Sequence, residues 1–141
     1  MYISLVEVKK KDWDFILKLR NKKEFRKNFY NQEHITKKEH YRYLKKQEKN
    51  PNFFNWLIYY EKSRVGYIRI LDNDISIIID KKYHGKGIGN IALKLLENEA
   101  RKRDVKKLVG KVMINNKSSK KIFTKNGYKL LMFWLEKDIA W

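Results

Sequence analysis

Three glycines fall within five residues of one another in Ile77-Ile78-Ile79-Asp80-Lys81-Lys82-Tyr83-His84-Gly85-Lys86-Gly87-Ile88-Gly89. They stand where an apolar run gives way to a helical pattern. Residues without a Cβ let a ligand come close to the backbone. The first turn of a helix offers about four N–H groups without partners, and its dipole favours negative charge. With Lys82 and Lys86 alongside, the chemistry this supports is the cradling of a phosphate or diphosphate. The familiar glycine fingerprints do not fit. A dinucleotide fold requires G-x-G-x-x-G, and counting from Gly85 the third place holds Asn90. A Walker loop requires Ser or Thr after Gly-Lys, and Gly87 follows Gly85-Lys86. The alternative reading of the glycines is a turn that lets a helix pack tightly on a strand. A second stretch, Asn115-Asn116-Lys117-Ser118-Ser119-Lys120-Lys121-Ile122-Phe123-Thr124-Lys125-Asn126-Gly127-Tyr128, combines helix-capping residues with aromatics suited to a core.

The elements that must position these residues follow from periodicity. Tyr2–Val8 alternates and reads as a strand. Asp12 opens a helix carrying Trp13, Ile16, Leu17 and Leu19, interrupted at Asn21. A second helix begins near Thr36, where Thr36 and Glu39 have capping-box spacing and Tyr41 and Leu44 supply the apolar stripe. Beyond Pro51 come three strands, Phe54–Tyr60, Arg64–Leu71 and Ile75–Asp80, joined by Glu61-Lys62-Ser63 and Asp72-Asn73-Asp74. Turns this short make neighbours antiparallel. Ile88, Ile91, Ala92, Leu95 and Leu96 give one buried face to a helix reaching about Arg103. A strand around Lys107–Ile114, a helix around Ser118–Asn126 ended by Gly127, and a strand over Tyr128–Glu136 complete the order β-α-α-β-β-β-α-β-α-β. The class is α/β in the broad sense (α+β), a meander followed by a crossover helix.

The 141 residues fit a single domain, 1–141, large enough to bury about two-thirds of its unfolded surface. Aromatics at 14% and apolar residues at 43% exclude a disordered chain. No apolar run reaches the ~18 residues of a membrane span, and the start lacks the pattern of a signal peptide. The absence of cysteine excludes disulfides, thiolate metal sites and cysteine nucleophiles. A cytoplasmic location without membrane partners or metal is the expectation. Lys and Arg number 34 against 16 Asp and Glu, a net charge of +18. That charge is spread as a solvated lysine-rich surface, which would still draw in anionic ligands.

Taken together, the two motifs resemble those of the GNAT family of acyl-CoA-dependent N-acyltransferases. The family's Gln/Arg-x-x-Gly-x-Gly/Ala is matched by His84, Gly87 and Gly89. Its Asn-x-x-Ser/Ala-x-x-(Leu/Ile)-(Tyr/Phe)-x-x-x-Gly-(Phe/Tyr) is matched by Asn116, Ser119, Ile122, Phe123, Gly127 and Tyr128. The element order is also the family's. The resemblance implies a mixed central sheet splayed between its fourth and fifth strands, with acetyl-CoA (coenzyme A) as the cofactor. It implies that the diphosphate lies on the amides of Gly85, Lys86, Gly87, Ile88, Gly89 and Asn90, beside His84. It further implies a pantetheine arm against Ile77, Ile78 and Ile79, with Asn116, Ser119 and Phe123 flanking it. Two departures stand out. His84 replaces the glutamine or arginine, and Phe123 stands where many members keep a tyrosine that protonates the departing thiolate. Lys111 occupies a place where some protein-acetylating relatives have glutamate.

Direct attack of a neutral amine on the thioester follows, with the Ile79 N–H at the oxyanion. The catalytic base is unassigned among Glu33, His34, His40, Asp72 and Asp74. On the acceptor side, Arg20, Asn21, Arg26 and His40, with Glu24, Ile35 and Glu39, resemble a subgroup acting on nucleotide-linked amino sugars in surface-polysaccharide pathways. The expected partner is thus a small-molecule amine. Two alternatives are acetylation of a protein α-amine, as in ribosomal-protein acetyltransferases, and a basic nucleic-acid-binding module with stacking aromatics. Trp141 follows the last expected strand closely, where many relatives have a further hairpin strand. A homodimer that lends such a strand is therefore one expected assembly.

Overall fold

A computed structural model describes residues 2–140. Its core is a five-stranded sheet in the order β1-β2-β3-β4-β5. Strand β1 (Ile3–Glu7) pairs antiparallel with β2 (Phe53–Tyr60), β2 with β3 (Ser63–Leu71), and β3 with β4 (Asp74–Ile79). The two hairpin turns place Glu61, Asp72 and Asn73 at positive φ, a conformation that Asn and Asp tolerate better than most residues.

Helices cover both sheet faces. On one lies α4 (Ile88–Lys102), whose Ile88, Ala92, Leu93, Leu96 and Ala100 pack against Trp56, Ile58, Ile68 and Ile70, with Phe123 of α5 (Lys117–Lys125) closing the cluster. On the other, α1 (Trp13–Arg20) sets Ile16 and Leu19 on Leu57, Tyr67 and Ile78, beside Phe25 of the one-turn helix α2 (Lys23–Arg26). Helix α3 (Lys37–Gln47) packs on α1, with Trp13 and Tyr41 edge to face at 5.1 Å.

The Thr36 hydroxyl accepts the Glu39 N–H at 3.2 Å as the cap requires. The Glu39 carboxylate, expected on the Thr36 backbone, instead takes the Thr36 hydroxyl proton at 2.9 Å. Helix α2 was not expected. It is four residues long with only Phe25 buried, too short to show a period.

Strand β5 corrects the expectation for Lys107–Ile114: it is limited to Val109–Gly110 and pairs with β4 only at Asp74–Val109 and Ile75–Gly110. This pairing is parallel, and β4 continues four residues past it without a neighbour on that side. The sheet therefore opens between its fourth and fifth strands. The strand expected over Tyr128–Glu136 does not form. Residues 129–140 join no ladder, and Leu130, Leu131, Met132, Phe133, Trp134 and Leu135 are exposed. An apolar run specifies a strand only where an edge lies within reach to receive it. Here the tail instead reaches the segment between α2 and α3, where the Tyr30 hydroxyl donates to the Glu136 carboxylate at 2.5 Å.

Candidate active site

The site grows from the free edge of β4. The Asp80 N–H donates to the Val65 carbonyl on β3 at 2.8 Å, and the Val109 N–H to the Asn73 carbonyl at 2.8 Å. Backbone groups alternate sides along a strand. Even-numbered residues thus address β3, and Ile75, Ile77 and Ile79 address the β5 side. Only Ile75 finds a partner there. The Ile77 and Ile79 amides therefore face the opening. Ile78, placed in the same expected group, turns its backbone to β3 and its side chain into the core.

Past β4 the Asp80 side chain accepts the Lys82 N–H at 3.4 Å, capping a 3-10 turn over Lys81–Tyr83. Burial works against the Asp80 charge. The Lys22 ammonium at 3.3 Å and the Lys82 amide outweigh it and hold the carboxyl below its ordinary range. This pair ties the α1–α2 junction to the end of β4. His84 Nε2 lies 2.6 Å from the Ile79 carbonyl oxygen, so that nitrogen carries the proton it donates. The His84 ring also sits 6.0 Å from that of Phe25.

Gly85 and Gly87 have φ of 76° and 78°. A side chain costs roughly 1–2 kcal/mol in this region, so glycine is the residue the turn selects. A Cβ at either position would meet nothing within 4 Å. The space in front of this backbone is open to a ligand. The first α4 bond runs from the Ile91 N–H to the Gly87 carbonyl at 3.2 Å, so the amides of Ile88, Gly89 and Asn90 lack a helical acceptor. Gly89 answers to packing instead: its Cβ would lie 2.8 Å from Ile122 Cδ1 and 3.3 Å from Ile79 Cδ1. The packing reading of the glycines thus holds at Gly89, whereas Gly85 and Gly87 answer to their positive φ and face open space. Lys86 is exposed beside this turn, while the Ile88 side chain is buried in the core and offers only its amide.

Helix α5 sets Ile122 beside the start of α4, where its Cδ1 would lie 2.8 Å from a Cβ on Gly89. Asn116 caps α5, its Oδ1 accepting the Ser119 N–H at 3.2 Å and its Nδ2 donating to Ser119 Oγ at 3.0 Å. Asn90 is tied to the far end of α5 through a 2.6 Å bond from Asn126 Nδ2. Phe123 is buried, edge to face with Tyr128 at 5.0 Å and against Gly110, whose Cβ would fall 2.8–2.9 Å from its ring atoms. Burial, then a hydrogen bond to Glu97, raises the Tyr128 phenol far above its ordinary value.

On the acceptor side Asn21 is structural: its Nδ2 donates to the Ile35 carbonyl at 2.8 Å and its Oδ1 accepts the Ile35 N–H at 2.9 Å. This latch fixes the loop ahead of α3. His40 faces inward, with Nε2 3.0 Å from the Trp13 carbonyl oxygen and 3% of the residue exposed. Burial, and to a lesser degree the Arg20 charge, lower its pKa despite the Trp13 bond. Arg20 and Arg26 each keep a buried Nε with no partner. Sequence reasoning missed Arg69, Tyr67 and Asn55, which share the sheet face beneath Arg20. No cluster of metal-ligating side chains occurs among the described residues.

The chain matches the family described as Acetyltransferase (GNAT) domain over residues 3–129. No curated protein matches it in sequence. Among solved structures it is similar to a domain from Methanocaldococcus jannaschii DSM 2661, with 24% identity, a TM-score of 0.79, and coverage of 91% of this chain and 88% of that one. Spermidine N-acetyltransferase from Vibrio cholerae, solved with CoA and spermine, gives 16%, 0.79, 89% and 79%. The Salmonella typhimurium protein yncA, solved with its cofactor acetyl-CoA, gives 16%, 0.76, 92% and 81%. At these identities the likeness establishes the fold.

Proposed function

The chain belongs to the GNAT acetyltransferases, and from that premise we propose that it moves the acetyl group of acetyl-CoA onto the primary amine of a nucleotide-linked amino sugar, in the building of surface polysaccharide. The observation that carries the transfer is the unpaired β4 edge at Ile77 and Ile79 running directly into an open turn at Gly85 and Gly87. The amides of Gly87–Asn90 would hold the diphosphate of coenzyme A, with Lys82 and Lys86 adding charge, and the edge amides would receive its pantetheine arm. Bound there, acetyl-CoA supplies an activated thioester carbonyl.

The chain's own groups then do the following. The Ile79 N–H, aimed into the opening, stabilises negative charge developing on a carbonyl oxygen beside it, usually the largest electrostatic contribution. The Ile79 carbonyl is held by His84, which fixes the peptide next to the reacting centre. Phe123 has no proton to give a leaving thiolate. A thiol with a pKa of about 8.5 departs as an anion at modest cost, whereas a positioned acid is worth about 10²–10⁴-fold. The rate falls within that margin of an enzyme with tyrosine there. Of the carboxylates considered as base, Asp74 is paired with Arg69 at 3.6 Å, and Glu33 and Asp72 both lie exposed, so water relayed through the opening is the favoured proton acceptor.

The nucleotide-linked acceptor draws its support from Arg20 and Arg26, whose buried Nε groups await an acceptor. A net charge of +18 repels polyamines and basic N-termini. A nucleic-acid module would leave the Gly85–Asn90 turn without a use. The test is thiol release from acetyl-CoA against a panel of nucleotide-linked amino sugars and N-terminal peptides. Turnover on the sugars is expected; turnover on a peptide with silence on every sugar overturns the acceptor assignment.

A further inference from the structure

Beneath the end of α1, on the sheet face away from α4, lies a group of donors with too few acceptors. Arg20 forms no ion pair with a carboxylate among the described residues. Its guanidinium lies 5.2 Å from the centre of the Phe29 ring, and its Nε is buried and unbonded. Burial lowers its pKa; Arg69 adds to this, while Tyr67 and Tyr43 act in the opposite sense.

Arg69 is itself only 12% exposed. Its Nη1 donates to the Asp74 carbonyl at 3.1 Å and approaches the Asp74 carboxylate at 3.6 Å. That pair is neutral, yet Arg69 Nε has no partner, and neither does Asp74 Oδ1. The Tyr67 hydroxyl accepts from Asn55 Nδ2 at 3.2 Å, so its proton has no protein acceptor. Burial pushes this phenol up to about 12, which keeps the proton in place at neutral pH.

A buried donor left unbonded is destabilising, more so when charged, and here three donors share one face with one cation unneutralised. An anion would satisfy them together, and guanidinium forks suit phosphate oxygens. The place is apt: Tyr67 is registered with Ile78, Ile68 with Ile77 and Arg69 with Ser76, one strand from the edge where acetyl transfer is proposed.

We propose that Arg20, with Arg69 and Tyr67, forms a subsite for a phosphate group of the acceptor, separate from the Gly85–Asn90 turn. The assignment rests on the acceptor reading above and adds the residues that would recognise it.

The experiment titrates inorganic pyrophosphate into the full chain saturated with coenzyme A, so that the glycine turn is already filled. Calorimetry gives the affinity, and nitrogen-15 NMR follows the arginine Nε–H resonances. One-to-one binding is expected, with a saturating shift of the Arg20 Nε–H. Arg20→Gln should weaken it at least tenfold and Arg20→Lys less, while the exposed controls Lys45→Gln and Lys46→Gln change it by under twofold. The proposal is overturned if the Arg20 resonance does not move, if Arg20→Gln binds as the parent does, or if the lysine controls lose as much. The NMR shift in the unaltered chain decides the matter even should a variant misfold. Failure to take up coenzyme A would instead count against the transfer chemistry, so the two readings fail separately.

Discussion

Replacing Gly87 by alanine separates the two demands made on that residue. Gly87 is the N-cap of α4 with φ 78° and ψ 10°. Gly127 has φ 86° just past α5, where the Gly127 N–H bonds the Thr124 carbonyl at 3.1 Å and the Tyr128 N–H the Phe123 carbonyl at 3.0 Å, a Schellman ending. A Cβ meets nothing within 4 Å at either site, so the cost to stability is the left-handed backbone alone, about 1–2 kcal/mol in both variants. For a chain of this size that lowers Tm by roughly 2–8 °C. Only Gly87 should also affect ligand binding. If alanine turns one amide away from a bound diphosphate, it removes one charge-assisted bond of about 1.5–3 kcal/mol, a loss of about 10- to 150-fold in Kd. Thermal unfolding and calorimetric titration with coenzyme A read the two effects. Equal coenzyme A affinity in Gly87→Ala and the parent would refute the cradle. An equal loss in Gly127→Ala would show that general destabilisation, not the turn, governs binding.

Three other outcomes are expected. His40 has a folded pKa below its ordinary 6.5 because its ring is buried. Its contribution to stability should be complete above pH 6.5 and lost as pH falls from there through the folded value. In His40→Gln that part of the denaturation-versus-pH curve should flatten, and an unchanged curve would count against a buried neutral ring. Asp12, 4% exposed, accepts the Lys9 N–H at 2.9 Å and pairs with Arg64 at 3.5 Å. Asp12→Ala should cost about 1–3 kcal/mol by urea unfolding, and no measurable change would mean that the carboxylate is dispensable. Gly110→Ala drives a Cβ into the stiff Phe123 ring and should cost about 1–3 kcal/mol, refuted by a midpoint equal to that of the parent.

The meander was legible because its three apolar runs are bounded by Glu61-Lys62 and Asp72-Asn73, turns that leave little choice of pairing. Helix α4 was legible from one strict apolar face. The glycine turn could be read because positive φ selects glycine whatever surrounds it. By contrast, the reach of β5 and the fate of Tyr128–Glu136 depend on which edge a distant segment meets, and no local pattern encodes that. His40 was read toward the acceptor because a histidine after Glu39 gives no sign that its ring turns to the Trp13 carbonyl. Arg69 and Tyr67 escaped notice for a related reason. In an antiparallel strand an arginine two places from a tyrosine reads as an outward row until α1 is known to lie over it.

The exposed run from Leu130 to Leu135 has a bearing on how the molecule behaves in bulk. Phe133 is 83% and Leu135 90% accessible to water, on a chain carrying +18 charges. Mutual repulsion keeps neighbouring copies apart while its range is long, and that range shrinks from about 30 Å at 0.01 M salt to about 3 Å at 1 M. Light scattering should therefore rise with added salt as greasy strips come within touching distance, the reverse of what a charge-held complex does.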